Sequence, residues 1–302
     1  MKVVDPHVHF WDTRQIRYPW LENPQVAYSG DNRLLPRRHT VEEFLDSATG
    51  IDVLMSVHVE ANPADALTEV QWLQALSDDS AKGGHPHGIV AYADLSRSDA
   101  PLLFEQLASC RNVRGIRQIL NVHADRGYDY AGRHYLSEVQ WSQNLRRLAR
   151  YGWSFDLQMY PHQAAAAVDV IRRCEDVQFI LNHTGMFVDR NRVQGWREWR
   201  DALRALAACS NTAVKISGLA MFDHDWSVES FRPYVLDAID AFGTDRCMFA
   251  SNFPIDGLHG SYAALWSAYA QIVSGASRDE RARLFVENAI RYYRLQEQPS
   301  RT

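Results

Sequence analysis

Short β-prone runs alternate with amphipathic helical stretches along almost the entire chain, and this alternation constrains the fold more than any other feature. Strands that are separated by helices pair in parallel. Eight repeats of this unit predict a single (β/α)8 barrel of the TIM type. The predicted strands are Val3–Phe10, Val53–Glu60, Gly88–Leu95, Val113–Leu120, Ser154–Tyr160, Val177–His183, Ala213–Leu219 and Arg246–Asn252.

Helices are predicted between the strands and at the end of the chain. Thr40 and Glu43 have the spacing of a capping box, which predicts the start of the first helix. An open, doubly wound sheet is the alternative architecture, but it calls for a G-x-G-x-x-G turn that the sequence does not contain. The predicted helices are Thr40–Thr49, Pro63–Leu76, Pro101–Cys110, Ser137–Tyr151, His162–Cys174, Trp196–Cys209, Glu229–Phe242, Tyr262–Ser274 and Arg278–Leu295.

The 302 residues are predicted to form one barrel domain, residues 1–302, because a barrel of ~250 residues with insertions accounts for this length. No linker rich in Pro, Gly or Ser divides the chain. Residues 12–39 are long for a strand–helix connection and contain Trp20, so they are predicted to fold over the barrel mouth as a lid. A surface loop with an aromatic anchor is the alternative. Residues 278–295 are predicted as a C-terminal helix.

Composition and charge exclude several classes of protein. A net charge of −5 gives no electrostatic reason to expect nucleic acid or an anionic membrane as a partner. No apolar run approaches the ~20 residues that span a bilayer, and no secretory signal precedes the first strand. A small molecule is the expected partner, and a homo-oligomer is compatible with the sequence. The cysteines lack C-x-x-C pairing and are predicted as buried free thiols in a reducing cytoplasm: Cys110, Cys174, Cys209 and Cys247.

His7 and His9 are the most informative pair of residues for chemistry. They lie two positions apart on the first predicted strand, so their imidazoles project side by side. Such a pair can bind one cation or polarise one substrate. The alternative is that two polar residues end the strand near solvent.

Polar side chains also cluster at the ends of other predicted strands. In a barrel of this kind the C-terminal strand ends form the active site, so these side chains are expected to converge. Any one of them could instead be a satisfied core residue, and Arg117 could form a structural pair with Asp156 or Glu60. So many polar strand ends are hard to explain as packing, because buried charges are costly without partners. The residues are His58, Glu60, Arg117, Gln158, Tyr160, His183, Asn252 and Asp256.

The three imidazoles of His7, His9 and His183 would suit one divalent cation, zinc above all, which would activate water or a carbonyl. Arg117 is expected to hold a carboxylate or carbonyl oxygen by a forked hydrogen bond. Four further side chains are expected to contact the substrate from the lid, the fifth strand and the loop after the seventh strand: Trp20, Gln158, Tyr160 and Trp226.

Six segments, DPHVHFWD, VRGIRQIL, FDLQ, ILNHTG, VKISGL and MFASNFPID, resemble the amidohydrolase superfamily. They are most similar to the branch that contains sugar-lactone hydrolases, such as fuconolactonase and rhamnonolactonase, and the pyrone-dicarboxylate lactonases. The resemblance runs in order along the chain. It implies a distorted (β/α)8 barrel and hydrolysis of an ester-like ring.

Two positions depart from the pattern of that superfamily. Gln158 stands where members with a full metal site usually have a His, and Asn252 stands where the lactonases have an acid. An amide cannot act as a general base near neutral pH. The base is therefore left open among Asp256, Glu60 and His58. A binuclear metal site is not expected, and both a mononuclear and a metal-free site stay open.

The leading hypothesis is a hydrolase that opens a lactone or a related small cyclic ester. Non-oxidative decarboxylation is the second, since the same branch contains decarboxylases, but those enzymes need the acid that Asn252 replaces. A barrel that binds a small ligand without catalysis is the third. Asn252 favours that third hypothesis, whereas the retained histidines and Arg117 argue against it.

Overall fold

The computed structural model describes residues 1–296. Eight parallel strands follow one another around a sheet in chain order, with helices between them. The predicted barrel is confirmed, and each predicted strand has an observed counterpart. The strands are β1 (Lys2–Val8), β2 (Asp52–Val59), β3 (Gly88–Tyr92), β4 (Val113–Ile119), β5 (Ser154–Gln158), β6 (Phe179–Leu181), β7 (Thr212–Ile216) and β8 (Cys247–Phe249).

The first and last strands meet just beyond their C-terminal ends. The amide of His9 donates to the carbonyl of Phe253 at 2.8 Å, and the amide of Asn252 donates to the carbonyl of His7 at 2.8 Å. These bonds bring the chain after β8 beside the His7–His9 pair. The closure of the barrel therefore assembles two parts of the site that lie 245 positions apart along the chain, from His7 to Asn252.

The helices pack around the sheet and bury aromatic side chains against it. Thr40 and Glu43 form the predicted capping box at the start of the first of them. A turn of π-helix, Arg283–Glu287, interrupts the predicted last helix. The helices are α1 (Val41–Ser47), α2 (Ala66–Asp78), α3 (Ala100–Leu107), α4 (Val139–Arg147), α5 (Ala164–Arg172), α6 (Val193–Ala207), α7 (Val228–Phe242), α8 (Tyr262–Ile272), α9 (Arg278–Ala282) and α10 (Asn288–Tyr293).

All four cysteines are free and buried, as predicted. Among residues 1–296, no helix has the length and the apolar character needed to cross a membrane. Short 3₁₀ helices lie at Asn32–Leu34, Ser80–Lys82, Tyr135–Ser137, Leu148–Tyr151, Pro161–Gln163, His183–Gly185 and Asp256–Leu258, and Trp11–Asp12 pairs with Arg38–His39 as two short antiparallel strands.

Residues 12–39 lie over the C-terminal end of the barrel. A one-turn helix, Pro19–Glu22, precedes a small hairpin whose strands are Val26–Ala27 and Gly30–Asp31. The first half of the segment is fastened to the connection after β2, because Trp20 Nε1 donates to the carbonyl of Ala61 at 2.7 Å. Its buried side chains Ile16, Tyr18, Leu21 and Leu35 form an apolar cluster with Trp11 and Ala61.

Several strands end two or three residues earlier than predicted. β6 ends at Leu181 rather than His183, and β8 ends at Phe249 rather than Asn252. The backbone φ angles of His183 (52°) and Asn252 (57°) lie in the left-handed region, which no strand contains. Residues held in this region are uncommon outside glycine and cluster at functional sites. The departure from strand geometry thus includes two of the residues that the sequence predicted for chemistry.

Candidate active site

His7, His9 and His183 lie side by side at the mouth of the barrel. The ring centre of His7 is 5.0 Å from that of His9 and 4.5 Å from that of His183. Both ring nitrogens of His7 are buried and have no hydrogen-bond partner among the residues that the structure describes. Burial and nearby positive charges, Lys215 for His7 and Arg117 for His9, hold the pKa of these imidazoles well below the ordinary value. The rings are therefore neutral at pH 7.

The hydrogen bonds of His9 determine which of its nitrogens carries the proton. Nδ1 lies 2.7 Å from the carbonyl oxygen of Val59, which can only accept, so Nδ1 bears the hydrogen. Nε2 therefore has a free lone pair, and it lies 3.3 Å from Oδ1 of Asn252. The amide nitrogen of Asn252 donates in turn to Oδ1 of Asp256 at 2.7 Å. Burial raises the pKa of Asp256 to about 7.

Arg117 is bound by Glu60 and Gln158. Its Nε donates to Oε1 of Glu60 at 2.6 Å, its Nη2 to the backbone carbonyl of Glu60 at 2.6 Å, and its Nη1 to Oε1 of Gln158 at 2.9 Å. The structural pairing with Glu60 that the sequence left open is therefore present. Burial raises the pKa of Glu60 to about 7, although the guanidinium acts in the opposite direction. Each terminal nitrogen of Arg117 keeps one N–H for a ligand.

His58 and Glu69 form a separate buried contact behind the site. His58 accepts the amide hydrogen of Phe10 at Nδ1, at 3.0 Å, and its Nε2 lies 3.7 Å from Oε1 of Glu69. The same oxygen of Glu69 accepts from the hydroxyl of Tyr18 and from the amide of Ala61. Burial raises the pKa of Glu69 to about 8. His58 is thus engaged by the backbone and by Glu69 rather than facing a ligand.

A second buried ion pair lies beneath the histidines, between Lys215 on β7 and Asp156 on β5. Asp156 also accepts from the hydroxyl of Tyr293 at 3.0 Å and from the side-chain amide of Asn182 at 3.1 Å. Burial lowers the pKa of Lys215 to about 8. Lys215 was not among the site residues that the sequence predicted. Its charge contributes to keeping His7 and His183 neutral.

The site opens into a cavity of about 230 Å³ at the barrel mouth. The wall combines a few polar groups with aromatic and aliphatic side chains, an arrangement typical of small-molecule sites. The lid segment contributes to it, which the sequence predicted through Trp20 alone. The lining residues are His9, Trp11, Trp20, Ala27, Tyr28, Ser29, Asn32, Ala61, Asn62, Arg117, Ile119, Tyr130, Gln158, His183, Met221, Asn252 and Ile255.

Two of the predicted substrate contacts lie outside this lining. The hydroxyl of Tyr160 donates to the carbonyl of Tyr128 at 2.7 Å, and its ring packs with Met186 and Met221. The indole of Trp226 stacks on Phe231 with ring centres 4.7 Å apart. Glu60 and Asp256 also lie outside the lining, each directly behind a residue that faces the cavity. Tyr28 and Tyr130, which do line it, were not predicted, because nothing in their local sequence distinguishes them from other loop aromatics.

The predicted metal site was tested against the arrangement of these donors. The described residues contain no group of three or more His, Cys, Asp or Glu side chains that could hold a metal ion. Gln158 and Asn252 supply neutral amides where the superfamily pattern has a His and an acid, and the Lys215 ammonium lies near His7 and His183. The residues present therefore do not form a metal site in this arrangement, and the metal stays a prediction.

A family model described as Amidohydrolase matches residues 4–295. The chain belongs to the amidohydrolase family. The resemblance seen in the six sequence segments is thereby confirmed. The chain is 42% identical to the uncharacterized protein y4mH of Sinorhizobium fredii, a match that covers 97% of this chain and 98% of that protein.

Two further comparisons concern Burkholderia multivorans. The chain is 28% identical to an L-fucono-1,5-lactonase of that organism, over 97% of this chain and 96% of the lactonase. A solved amidohydrolase from the same organism, with bound zinc, has a TM-score of 0.81 at 23% identity, and the match covers 98% of this chain and 100% of that structure. The structural likeness establishes the amidohydrolase barrel fold.

Proposed function

We propose that this amidohydrolase opens a small, uncharged, single-ring lactone by hydrolysis. The observation that carries the proposal is the cavity itself, which joins a lone pair on His9, free N–H groups on Arg117 and a wall of aromatic rings. Its volume of about 230 Å³ lies below the usual range for drug-sized ligands, so a single ring fits best. The lactonase among the relatives supports the same reaction class.

The charges around the cavity favour an uncharged substrate. Arg117 is the one cationic side chain of the described lining, and Glu60 already pairs with it. A substrate with two carboxylates would bring two negative charges to a wall that has no second cation to receive them. Desolvating an unpaired charge costs far more than desolvating a hydroxyl that finds an amide partner. Asn32, Asn62 and Gln158 offer such partners.

His9 is the general base in this proposal, and Asp256 acts on it through Asn252. When Nε2 of His9 takes a proton, it becomes a donor to Oδ1 of Asn252, at the 3.3 Å contact already present. The amide of Asn252 is polarised by the Asp256 carboxylate that accepts its hydrogen. Asn252 and Asp256 thus stabilise the protonated form of His9 more than its neutral form. This difference lowers the activation barrier of the reaction.

The reaction then has two steps. A water oxygen attacks the lactone carbonyl carbon and gives one proton to Nε2 of His9, while the N–H groups of Arg117 stabilise the negative charge on the carbonyl oxygen. The tetrahedral species then breaks its bond to the ring oxygen, which takes the proton back from His9 as the ring opens. The product is a hydroxy acid, and its ionisation releases one proton to solvent.

Zinc is not assigned a step in this proposal. Elemental analysis of the purified protein, with and without chelator treatment, tests the predicted divalent metal. One result would assign a ligand role to His7, His9 and His183, which the present geometry does not provide. It is a stoichiometric amount of bound metal, with activity that is lost on chelation and restored by zinc.

Ring opening of a panel of neutral lactones, followed by proton release, tests the proposed function. Replacing the base, His9→Ala, is expected to lower kcat/KM by a factor of about 100 or more, in line with the usual contribution of a general base. His134→Ala, at an exposed loop position, is the matched control and keeps native turnover. Release of carbon dioxide from aromatic acids, or no turnover of any lactone, would contradict the proposal.

A further inference from the structure

The small hairpin of residues 26–31 forms part of the cavity wall, yet it touches the barrel through few polar contacts. Tyr28 and Ser29 at its tip face the cavity. Among residues 1–296, two hydrogen bonds join this hairpin to the barrel loops. Nε2 of His224 lies 2.9 Å from the carbonyl oxygen of Tyr28, and Nε2 of His259 lies 2.7 Å from the carbonyl oxygen of Ser29.

The roles in these two bonds are fixed by the acceptors. A backbone carbonyl can only accept, so Nε2 carries the hydrogen in both imidazoles. The rings of His224 and His259 stack on each other with centres 3.9 Å apart and planes within 5°. His224 comes from the loop after β7 and His259 from the loop after β8. One stacked pair therefore connects two barrel loops to two consecutive carbonyls of the hairpin.

Gly30 makes this close approach possible. Its φ is +123°, where L side chains are strained, and a Cβ placed on it would lie 2.8 Å from Nε2 of His259. The hairpin thus has a residue without a side chain at the point where the imidazole of His259 approaches it. Behind the pair, the indole nitrogen of Trp226 donates to the carbonyl of His259 at 2.9 Å and supports its loop.

Tyr28, whose carbonyl accepts from His224, packs its ring against other aromatic side chains. Its ring lies parallel to that of Phe222, with centres 5.3 Å apart and planes within 2°, and it also contacts the ring of Tyr128. Tyr28 and Met221 line both the inner cavity and a wider groove outside it. Tyr28 therefore stands between the buried site and the surface.

We propose that His224 and His259 are positioning residues that hold the 26–31 hairpin across the cavity and so set the place of Tyr28 and Ser29 in the substrate wall. Because the two imidazoles stack on each other, a displacement of one ring also displaces the other, so the two N–H···O bonds act together. Loss of either bond frees the hairpin tip while the first half of the lid stays fastened at Ala61. The kinetic part of this inference rests on the proposed hydrolase function, whereas the structural part does not.

Hydrogen exchange of the hairpin amides, measured by mass spectrometry on the full chain, tests the structural part without a substrate. His224→Phe and His259→Phe keep an aromatic ring in the stack but remove the donor. Each is expected to speed exchange in residues 24–32 at least severalfold, while exchange in the barrel strands is unchanged. His259→Gln restores a donor N–H near the Nε2 position and is expected to exchange close to the native rate.

His134→Phe, at an exposed position, is the control for adding a ring to the surface. Native exchange of the hairpin in both donor-less variants would overturn the inference. Equally fast hairpin exchange in His259→Phe and His259→Gln would also overturn the inference. That result would mean that the shape of the side chain, and not its hydrogen bond, sets the exchange rate.

Kinetics with a lactone substrate test the functional part. The Phe variants are expected to raise KM about tenfold or more with a smaller change in kcat, because a loosened wall weakens binding more than it alters the base. His259→Gln is expected to return KM towards the native value. A mobile hairpin with native KM and kcat would overturn the positioning role. The exchange result stands on its own if no lactone is turned over, so the two proposals fail separately.

Discussion

Asn252 occupies the position at which a lactonase of this superfamily has an acid, and its surroundings explain how the site can work with an amide there. The left-handed backbone at Asn252, with φ at 57°, turns its side chain between His9 and Asp256. An amide donates with one end and accepts with the other, so it can connect a carboxylate to an imidazole. The carboxylate is thus present one side chain further from the substrate.

Asp256 should therefore govern the pH dependence of the reaction. Burial raises its pKa to about 7. Both forms of Asp256 can accept from Asn252, but only the carboxylate carries the negative charge that polarises the amide and stabilises the His9 imidazolium. The value of kcat/KM is expected to rise with pH through about 7. Asp256→Asn is expected to lower kcat/KM by a factor of about 10 to 100 and to flatten this limb of the profile.

The pH–rate profile of the native protein and of Asp256→Asn checks this expectation. Asp46→Asn, at an exposed position on α1, is the control and keeps the native profile. An unchanged limb near pH 7 in Asp256→Asn would assign the titration to another group, Glu60 being the nearest candidate with a similar pKa.

At the level of elements, the ends of β6 and β7 together fix the place of His183. Nδ1 of His183 lies 3.0 Å from the hydroxyl of Ser217, and Gly218 follows directly with a φ of +64°. A Cβ on Gly218 would collide with the imidazole of His183. The chain after β7 therefore leaves room for the ring only because residue 218 has no side chain.

Gly218→Ala should displace His183 and impair the site. Gly152 offers a matched control, since its φ is +65° but nothing lies within 4 Å of its added Cβ. Both substitutions carry the left-handed backbone cost of about 1–2 kcal/mol, whereas only Gly218→Ala moves a residue that lines the cavity. Activity is expected to fall at least tenfold in Gly218→Ala and to stay near native in Gly152→Ala at 25 °C. Equal activities would contradict the account of His183.

The sequence predicted the order and number of the strands because hydrophobic periodicity is local and each unit repeats it. The ends of the strands, as at His183 and Asn252, were predicted less accurately. The left-handed backbone at these residues is imposed by tertiary contacts rather than by residue type. Asp256 was recognised as a candidate base, but its path to His9 through Asn252 depends on that backbone. Tyr28 and Tyr130 belong to the cavity wall because of how their loops pack, and hydrophobic periodicity does not predict loop packing.

For the molecule as a whole, the barrel interior holds several buried ionisable groups, and these contribute to how stability varies with pH. Burial raises the pKa of Asp5 to about 6, of Glu60 and Asp256 to about 7, and of Glu69 to about 8. Between about pH 4 and about pH 8 these four carboxyls bind more protons in the folded state than in the unfolded state, so their contribution to stability falls as pH rises. The buried histidines act in the opposite direction below about pH 7, because burial lowers their pKa. Burial lowers the pKa of Lys215 to about 8, so this ammonium opposes the effect of the carboxyls on stability only near pH 8.

Between about pH 6.5 and about pH 8 the buried Glu69 carboxyl is thus expected to make the native protein less stable as pH rises. Glu69→Gln should remove this contribution, because Glu69 has the highest of the four pKa values and its Oε2 has no partner to lose. The expected difference is about 1.5 kcal/mol of unfolding free energy across the range. Glu105→Gln, on the exposed face of α3, is the control. The same pH dependence of the melting temperature in Glu69→Gln as in the native protein would contradict this reasoning.

We expect the protein to add a water oxygen to the carbonyl carbon of a neutral single-ring lactone. Ring opening in water enriched in oxygen-18, followed by mass analysis of the product, is the decisive measurement. The expected product is a hydroxy acid with a single oxygen-18 atom in its carboxyl group, formed far faster by the native protein than by His9→Ala. A product without solvent oxygen, or loss of carbon dioxide in place of ring opening, would contradict it.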